Sequence, residues 1–407
     1  MKNPKNSKSK SWQWAFLCFV VAGLTGFLYR VGFVTGLPDG CNLINIRHAH
    51  SHLMFFGWAS FFPLYFIYLE LISKNCSTLC KKILKVALTT IMVLGLVSFV
   101  SFLLWGYKPV SIGSANIPLS AILSGFVMIG WYVFIGGYLI HRKITVNTKR
   151  NIWYESALLM LFISSLGAWG VGLSTMFHFG TPLLSKALTH FFLSTFTEGW
   201  IVLILVGFLD KKLELLKADY FIPPTILVGL IALGAPLTFP YGISVSFLDT
   251  TLLFVASIGG LMVGTSILLF VYSVIRNHKA LKVFWIWSVA FLGIKALMQV
   301  IASFAPSELW LSDQGIRILY LHVLLLGSFT TTMILYTCRE HIFFKKYIYA
   351  VFYSILIVLL SLILLTNVWP LHLKGTWIFP VLAGCALLPV CSVSALWYKL
   401  RTINNSD

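Results

Sequence analysis

Apolar stretches of about twenty residues, each closed by charged or turn-forming residues, recur along the whole chain. Twelve of them, near 12–31, 48–70, 84–106, 118–140, 152–172, 184–208, 222–240, 250–275, 283–304, 316–338, 347–367 and 376–398, are long enough to cross a bilayer as helices. The stretch between Arg47 and Glu70 carries no charged side chain, yet His48, His50 and His52 crowd its start. The pattern predicts an all-α fold, a polytopic membrane helical bundle of about twelve transmembrane helices. A basic tail over 1–11, one membrane domain over 12–398 and a second tail over 399–407 complete the expected organisation. Gly260 and Gly264 have the four-residue spacing that lets helices approach closely. No internal repeat of twenty to fifty residues stands out.

Composition agrees with this pattern and narrows the partners. Of 407 residues, 58% are hydrophobic and 10% charged, which excludes a soluble domain. The formal charge of +18 is spread over short loops, so the expected partner is the lipid bilayer and not nucleic acid. Most of the 30 basic residues fall on the N-terminal tail and alternate connections: Lys2, Lys5, Lys8 and Lys10, then the groups around Lys74 and Lys81, Arg142 and Lys149, Lys211 and Lys217, Arg276 and Lys279, Arg339 and Lys345, and Lys399. The positive-inside rule then predicts a multi-pass protein of the cytoplasmic (inner) membrane with both termini cytoplasmic. Seven cysteines are scattered. The nearest spacing is Cys76 to Cys80 on a basic loop, and no disulfide framework follows.

With that orientation, the histidines acquire a depth. The second, sixth and tenth stretches all start at the outer face and carry His50 with His52, His190, and His322, each roughly 5–12 Å into its helix. Imidazole at a similar depth on three segments points to ligation, because ionisable groups are costly in a membrane. His48 and His52 share a helical face, whereas His50 and His52 point apart. Neutral imidazole suits haem iron, copper or zinc. His50 and His322 are candidates for one haem and His52 with His190 for a second metal or haem; the reverse pairing is equally open. His48 joins His52 and His190 as a candidate metal ligand. Glu198, two helical turns after His190, is a candidate proton relay, a ligand to a non-haem metal, or a neutral structural acid. Lys295 either pairs with an acid or snorkels outward. Arg47, Lys108 and Arg317 lie near outer helix ends, where they can meet haem propionates, and Arg317 is the best placed. His178 and His372 fall in outer loops, and His141, His278 and His341 at the basic face. Trp58, Trp131, Trp169, Trp200, Trp285, Trp287 and Trp377 are read as membrane-boundary residues.

The segment His50-Ser51-His52-Leu53-Met54-Phe55-Phe56-Gly57 resembles the His-Gly-His and apolar run of the haem-copper oxidase superfamily, in particular nitric oxide reductase large subunits and NnrS-like haem and copper membrane proteins. Thr189 to Trp200, with His190 and Glu198, is similar to the reductases' sixth-helix region, where a histidine binds metal near a glutamate. The resemblance implies an oxidase-subunit-I-like bundle, haem on His50, His52 and His322, copper or non-haem iron at His190, and an electron-donor protein or quinol as partner. Departures accompany it: the histidine pair stands in the second stretch instead of the tenth, His322 in the tenth has no second histidine two residues away, the seventh holds no histidine pair, and Glu198 lies farther from His190 than the reductases' four-residue spacing. Three functions follow. One is a haem-binding protein reducing a small diatomic or nitrogen-oxide ligand, with Glu198 as catalytic acid. The second is a proton-coupled transporter or permease built on His190, Glu198 and Lys295. The third is a non-catalytic assembly or sensor protein.

Overall fold

The computed structural model describes residues 11–73, 76–144, 151–177, 179–215, 220–277, 283–338 and 344–406. The expectations for His178, His278 and His341, for the basic tail, and for Lys74, Lys149, Lys217, Lys279 and Arg339 fall outside them. Twelve principal helices run in chain order: α1 Trp12–Thr35, α2 Leu43–Ser73, α3 Thr78–Trp105, α4 Leu119–Ile144, α5 Ile152–Met176, α6 Pro182–Leu213, α7 Pro224–Leu237, α8 Thr250–Arg276, α9 Val283–Phe304, α10 Gln314–Cys338, α11 Lys345–Leu365 and α12 Ile378–Ser406. The only strands among the described residues, β1 Val110–Ile112 and β2 Ala115–Ile117, form a small hairpin between α3 and α4. In lipid every backbone polar group needs an internal partner, and a helix supplies it within one segment.

Polar caps explain where several helices begin. Asn42, Ser77, Asn151, Thr181 and Asp249 each accept a backbone N–H of the first turn of α2, α3, α5, α6 and α8. Asp313 caps α10 through Gly315 N at 2.8 Å, and its second oxygen accepts Asn367 N at 2.6 Å, tying the start of α10 to the end of α11. Among the described residues eleven helices are long and apolar enough to span a membrane. The twelfth expected span is a correction: α7 has 14 residues, roughly 21 Å of helix against a hydrocarbon core of about 30 Å. Pro236 lies in its last turn and the chain continues as a 3-10 turn, Phe239–Gly242. Proline has no N–H to extend the ladder, so hydropathy alone overstated this segment's length.

The chain divides into two compact units, residues 1–147 with 337–354 and 376–407, and residues 148–336 with 355–375. In the first, α1 packs on α2 and α12, and α3 on α2 and α4; in the second, α5 packs on α6, α8 on α7 and α9, and α9 on α10. Gly260 and Gly264 perform the expected packing role, since a Cβ there would lie 2.3 Å from Ser303 Oγ and 2.7 Å from Val300 Cγ2 on α9. Trp58, Trp131, Trp200 and Trp285 are fully buried, so they are core residues and not the boundary markers expected. Trp131 donates to Ser60 Oγ at 3.3 Å, which satisfies its indole within the core.

One feature recurs three times. The helices carrying the candidate histidines, α2, α6 and α10, each contain a π-helical run: Met54–Ser60, Thr195–Ile201 and Val323–Thr330. Each run holds a glycine pressed by the helix just before it in sequence. A Cβ at Gly57 would meet Cys18 Sγ at 2.5 Å, at Gly199 Met160 Cβ at 3.0 Å, and at Gly327 Phe291 Cγ at 2.9 Å. π-Helical turns inside α-helices are uncommon and concentrate at functional sites. Their occurrence on every fourth helix is an internal repeat that was not visible in the residue pattern.

Candidate functional site

In the first unit the start of α2 arranges its three histidines as helical geometry requires. His48 and His52, four residues apart, face the end of α3 and Tyr107, with ring centroids 6.4 Å from one another. His52 stacks on Phe102 at 3.8 Å, its Nδ1 donates to His48 O at 2.9 Å, and Tyr107 hydroxyl donates to its Nε2 at 3.2 Å. His50 points the other way, to α1. Its Nδ1 donates to Ala22 O at 2.7 Å, and its ring covers Gly26, where a Cβ would come within 3.0 Å of Cε1. A side chain at Gly26 would therefore push the imidazole out of place.

The second unit holds His190, Glu198, Lys295, Arg317 and His322. His322 Nδ1 donates to Ile318 O at 2.7 Å, one turn back on α10. Arg317 donates from Nη1 to Gly242 O at 3.2 Å, and the ring of His190 lies so close to the same glycine that no Cβ fits there. The broken end of α7 thus brings His190 and Arg317 to one residue. Deeper, Glu198 inside the π-run of α6 is buried and forms an ion pair with the fully buried Lys295 of α9. Tyr320 hydroxyl donates to the other carboxylate oxygen at 2.7 Å, Lys295 also donates to Gln299 Oε1, and its ammonium lies 5.3 Å from the Tyr320 ring centroid. Of the two readings of Lys295, pairing with an acid is the one observed. The pair is acceptable in an apolar interior because every charged oxygen has a donor and the ammonium two acceptors.

Polar groups continue from this pair along one face of α9. Ser303 Oγ donates to Gln299 O at 2.9 Å, and Tyr241 hydroxyl reaches Ser303 Oγ at 3.3 Å and Ser257 Oγ at 3.4 Å. Burial raises the pKa of Tyr241 in its loop, so it remains a hydroxyl donor. Tyr320, Gln299 and Ser303 were missed in the sequence, although Lys295, Gln299 and Ser303 are four apart on an otherwise apolar helix. Such i, i+4, i+8 polar spacing marks one helical face.

Aligning the π-run glycines relates the sites to each other. His52 stands five residues before Gly57 and His322 five before Gly327; seven before them stand His50 and Tyr320. Tyr320 occupies the register of the missing second histidine of α10.

A further cluster lies elsewhere in the first unit. Sγ of Cys76, Sγ of Cys80 and an imidazole nitrogen of His141 all lie within 4.8 Å of one another, and all three residues are buried. Two sulfurs and an imidazole are a donor set that can hold a metal ion. His141, expected at the basic face, stands in the last turn of α4 beside Arg142 and Lys143 but is buried. His372 is exposed, as its loop position implied. The chain is a polytopic, all-α membrane protein with a buried Cys/Cys/His cluster. Compared with protein-family models and with curated proteins, it matches none.

Proposed function

We propose that the chain is a haem-binding integral membrane protein of the oxidase and nitric oxide reductase class, acting in the cytoplasmic membrane on a small diatomic or nitrogen-oxide ligand. One observation carries the reading: His50, His52 and His322 each commit Nδ1 to a backbone carbonyl. A carbonyl only accepts, so the proton sits on Nδ1 and the lone pair on Nε2. This fixed tautomer and ring orientation is what a metal-ligating imidazole needs. His50 and His322 thereby suit an iron ligand, and His52 does so once Tyr107 releases its Nε2. Within the first unit His50 and His52 are the haem-ligand candidates, with His48 beside His52 for copper or non-haem iron; within the second His322 is the haem-ligand candidate, with Arg317 for a propionate and His190 for the other metal.

Haem in this setting supplies a reducible iron that exchanges electrons with an electron-donor protein or a quinol. The chain's own contribution is protonic and steric. Glu198 holds a proton-exchanging carboxylate, Lys295 and Tyr320 fix both of its oxygens, and Gln299, Ser303 and Tyr241 extend the polar line along α9. The packing of α5 against Gly199 and of α9 against Gly327 holds the π-runs beside these groups.

Protein purified after haem-replete expression should contain stoichiometric haem by iron analysis and show a redox-sensitive Soret band. His50→Ala, His52→Ala and His322→Ala should each remove or convert part of that spectrum, while His372→Ala leaves it unchanged. Haem-free protein under those conditions, or spectra indifferent to all three changes, would end the proposal.

A further inference from the structure

The Cys76, Cys80 and His141 cluster belongs to none of the groups above. Cys80 lies near the start of α3 and Phe102, the stacking partner of His52, near its end. Their separation of 22 positions corresponds to roughly 33 Å of helix. An ion held by the cysteines is therefore out of reach of His48 and His52.

Local structure explains why these three side chains converge. Ser77 caps α3, accepting Cys80 N at 3.3 Å, which places Cys76 just before the cap and Cys80 in the first turn, four residues apart. Gly137 on α4 lets α3 come close, since a Cβ there would lie 2.9 Å from Leu84 Cδ2; Cys80 Sγ donates to Gly137 O at 3.2 Å. His141 follows Gly137 by one turn, so it faces the same thiol. Lys81, Lys82, Arg142 and Lys143 flank the cluster in sequence.

We propose that Cys76, Cys80 and His141 bind one thiophilic closed-shell metal ion, Cu(I) or Zn(II). Two sulfurs and a neutral imidazole, without a carboxylate, select soft or borderline ions over magnesium and calcium. Metal–sulfur bonds of about 2.3 Å set two sulfurs sharing an ion roughly 4 Å apart, so the cluster needs only a small contraction to close on one. With Zn(II), two thiolates and a neutral imidazole leave no net charge in a buried place. The proposal is independent of haem and is testable on haem-free protein.

The test is a metal titration of the reduced, detergent-purified full chain, with Zn(II) and Cu(I) in separate arms against chromophoric chelators. Wild-type protein should bind one equivalent of at least one ion that the Cys80 and His141 variants lose, and the arm that competes better for that equivalent identifies the ion. Cys80→Ser and His141→Gln should weaken binding at least tenfold, whereas Cys391→Ser should not. No bound equivalent in either arm, or equal binding by the variants, overturns the proposal. Should a buried substitution prevent folding, wild-type protein still decides the matter by alkylation and peptide mass analysis. The ion should protect Cys76 and Cys80 but not the exposed Cys41; equal modification with and without it, or a Cys76–Cys80 disulfide in protein isolated without reductant, counts against the site.

Discussion

Glu198 and Lys295 show how far single residues could be read. An acid and a base without nearby charges on apolar helices announce a cost that something must offset, and both were conspicuous in the sequence. That they meet was not legible, because 97 residues separate them and nothing in either helix encodes the other's position. His141 failed to stand out for a different reason: Arg142 and Lys143 beside it suggested an interfacial stretch, while the helical turn hid the imidazole from that side. Removing one member of the pair strands a buried charge, a loss of about 3–5 kcal/mol, whereas removing both is far milder. Lys295→Met should therefore lower the thermal midpoint in detergent well below that of Lys295→Met with Glu198→Gln. Equal midpoints for the single and double variants would show that the pair is not coupled.

Helices were the most legible elements, since an apolar run of the right length has few other uses. α7 is the exception, and its shortening follows from Pro236 and the turn beyond it, which an average hydropathy does not register. The π-helical runs left no mark in the residue pattern because the extra residue per turn is stabilised by the partner helix, not by local preference. Their glycines make graded predictions. At Gly57 a Cβ would meet Sγ and Cβ of Cys18 at 2.5 and 2.6 Å; at Gly199 it would meet Cβ and Cγ of Met160 at 3.0 Å, a milder overlap. Overpacking costs about 1–3 kcal/mol when the neighbour cannot move. Gly57→Ala should destabilise more than Gly199→Ala, and Cys18→Gly should rescue the former. Thermal unfolding of the four proteins checks the order, and a larger loss at Gly199 would contradict it.

For the molecule as a whole, the number of passes and the histidine-bearing helix in every four were readable, while the π-run shared by those three helices was not. Only the aligned glycines show that Tyr320 stands in the register of His50. Orientation is carried by the distribution of lysine and arginine. If the basic loops are cytoplasmic, Cys41, exposed just before α2, faces outward. A membrane-impermeant maleimide should then label it in intact cells of a variant lacking the other cysteines, and labelling only after permeabilisation would reverse the orientation. The π-run of α2 has one last consequence. It acts as a phase shifter between the two halves of its helix. Deleting Phe55 would let ordinary α-helical bonding close across the gap and swing the half that carries His48, His50 and His52 through about 100°. Helix content measured by circular dichroism would survive such a deletion, while the haem uptake proposed above should be lost.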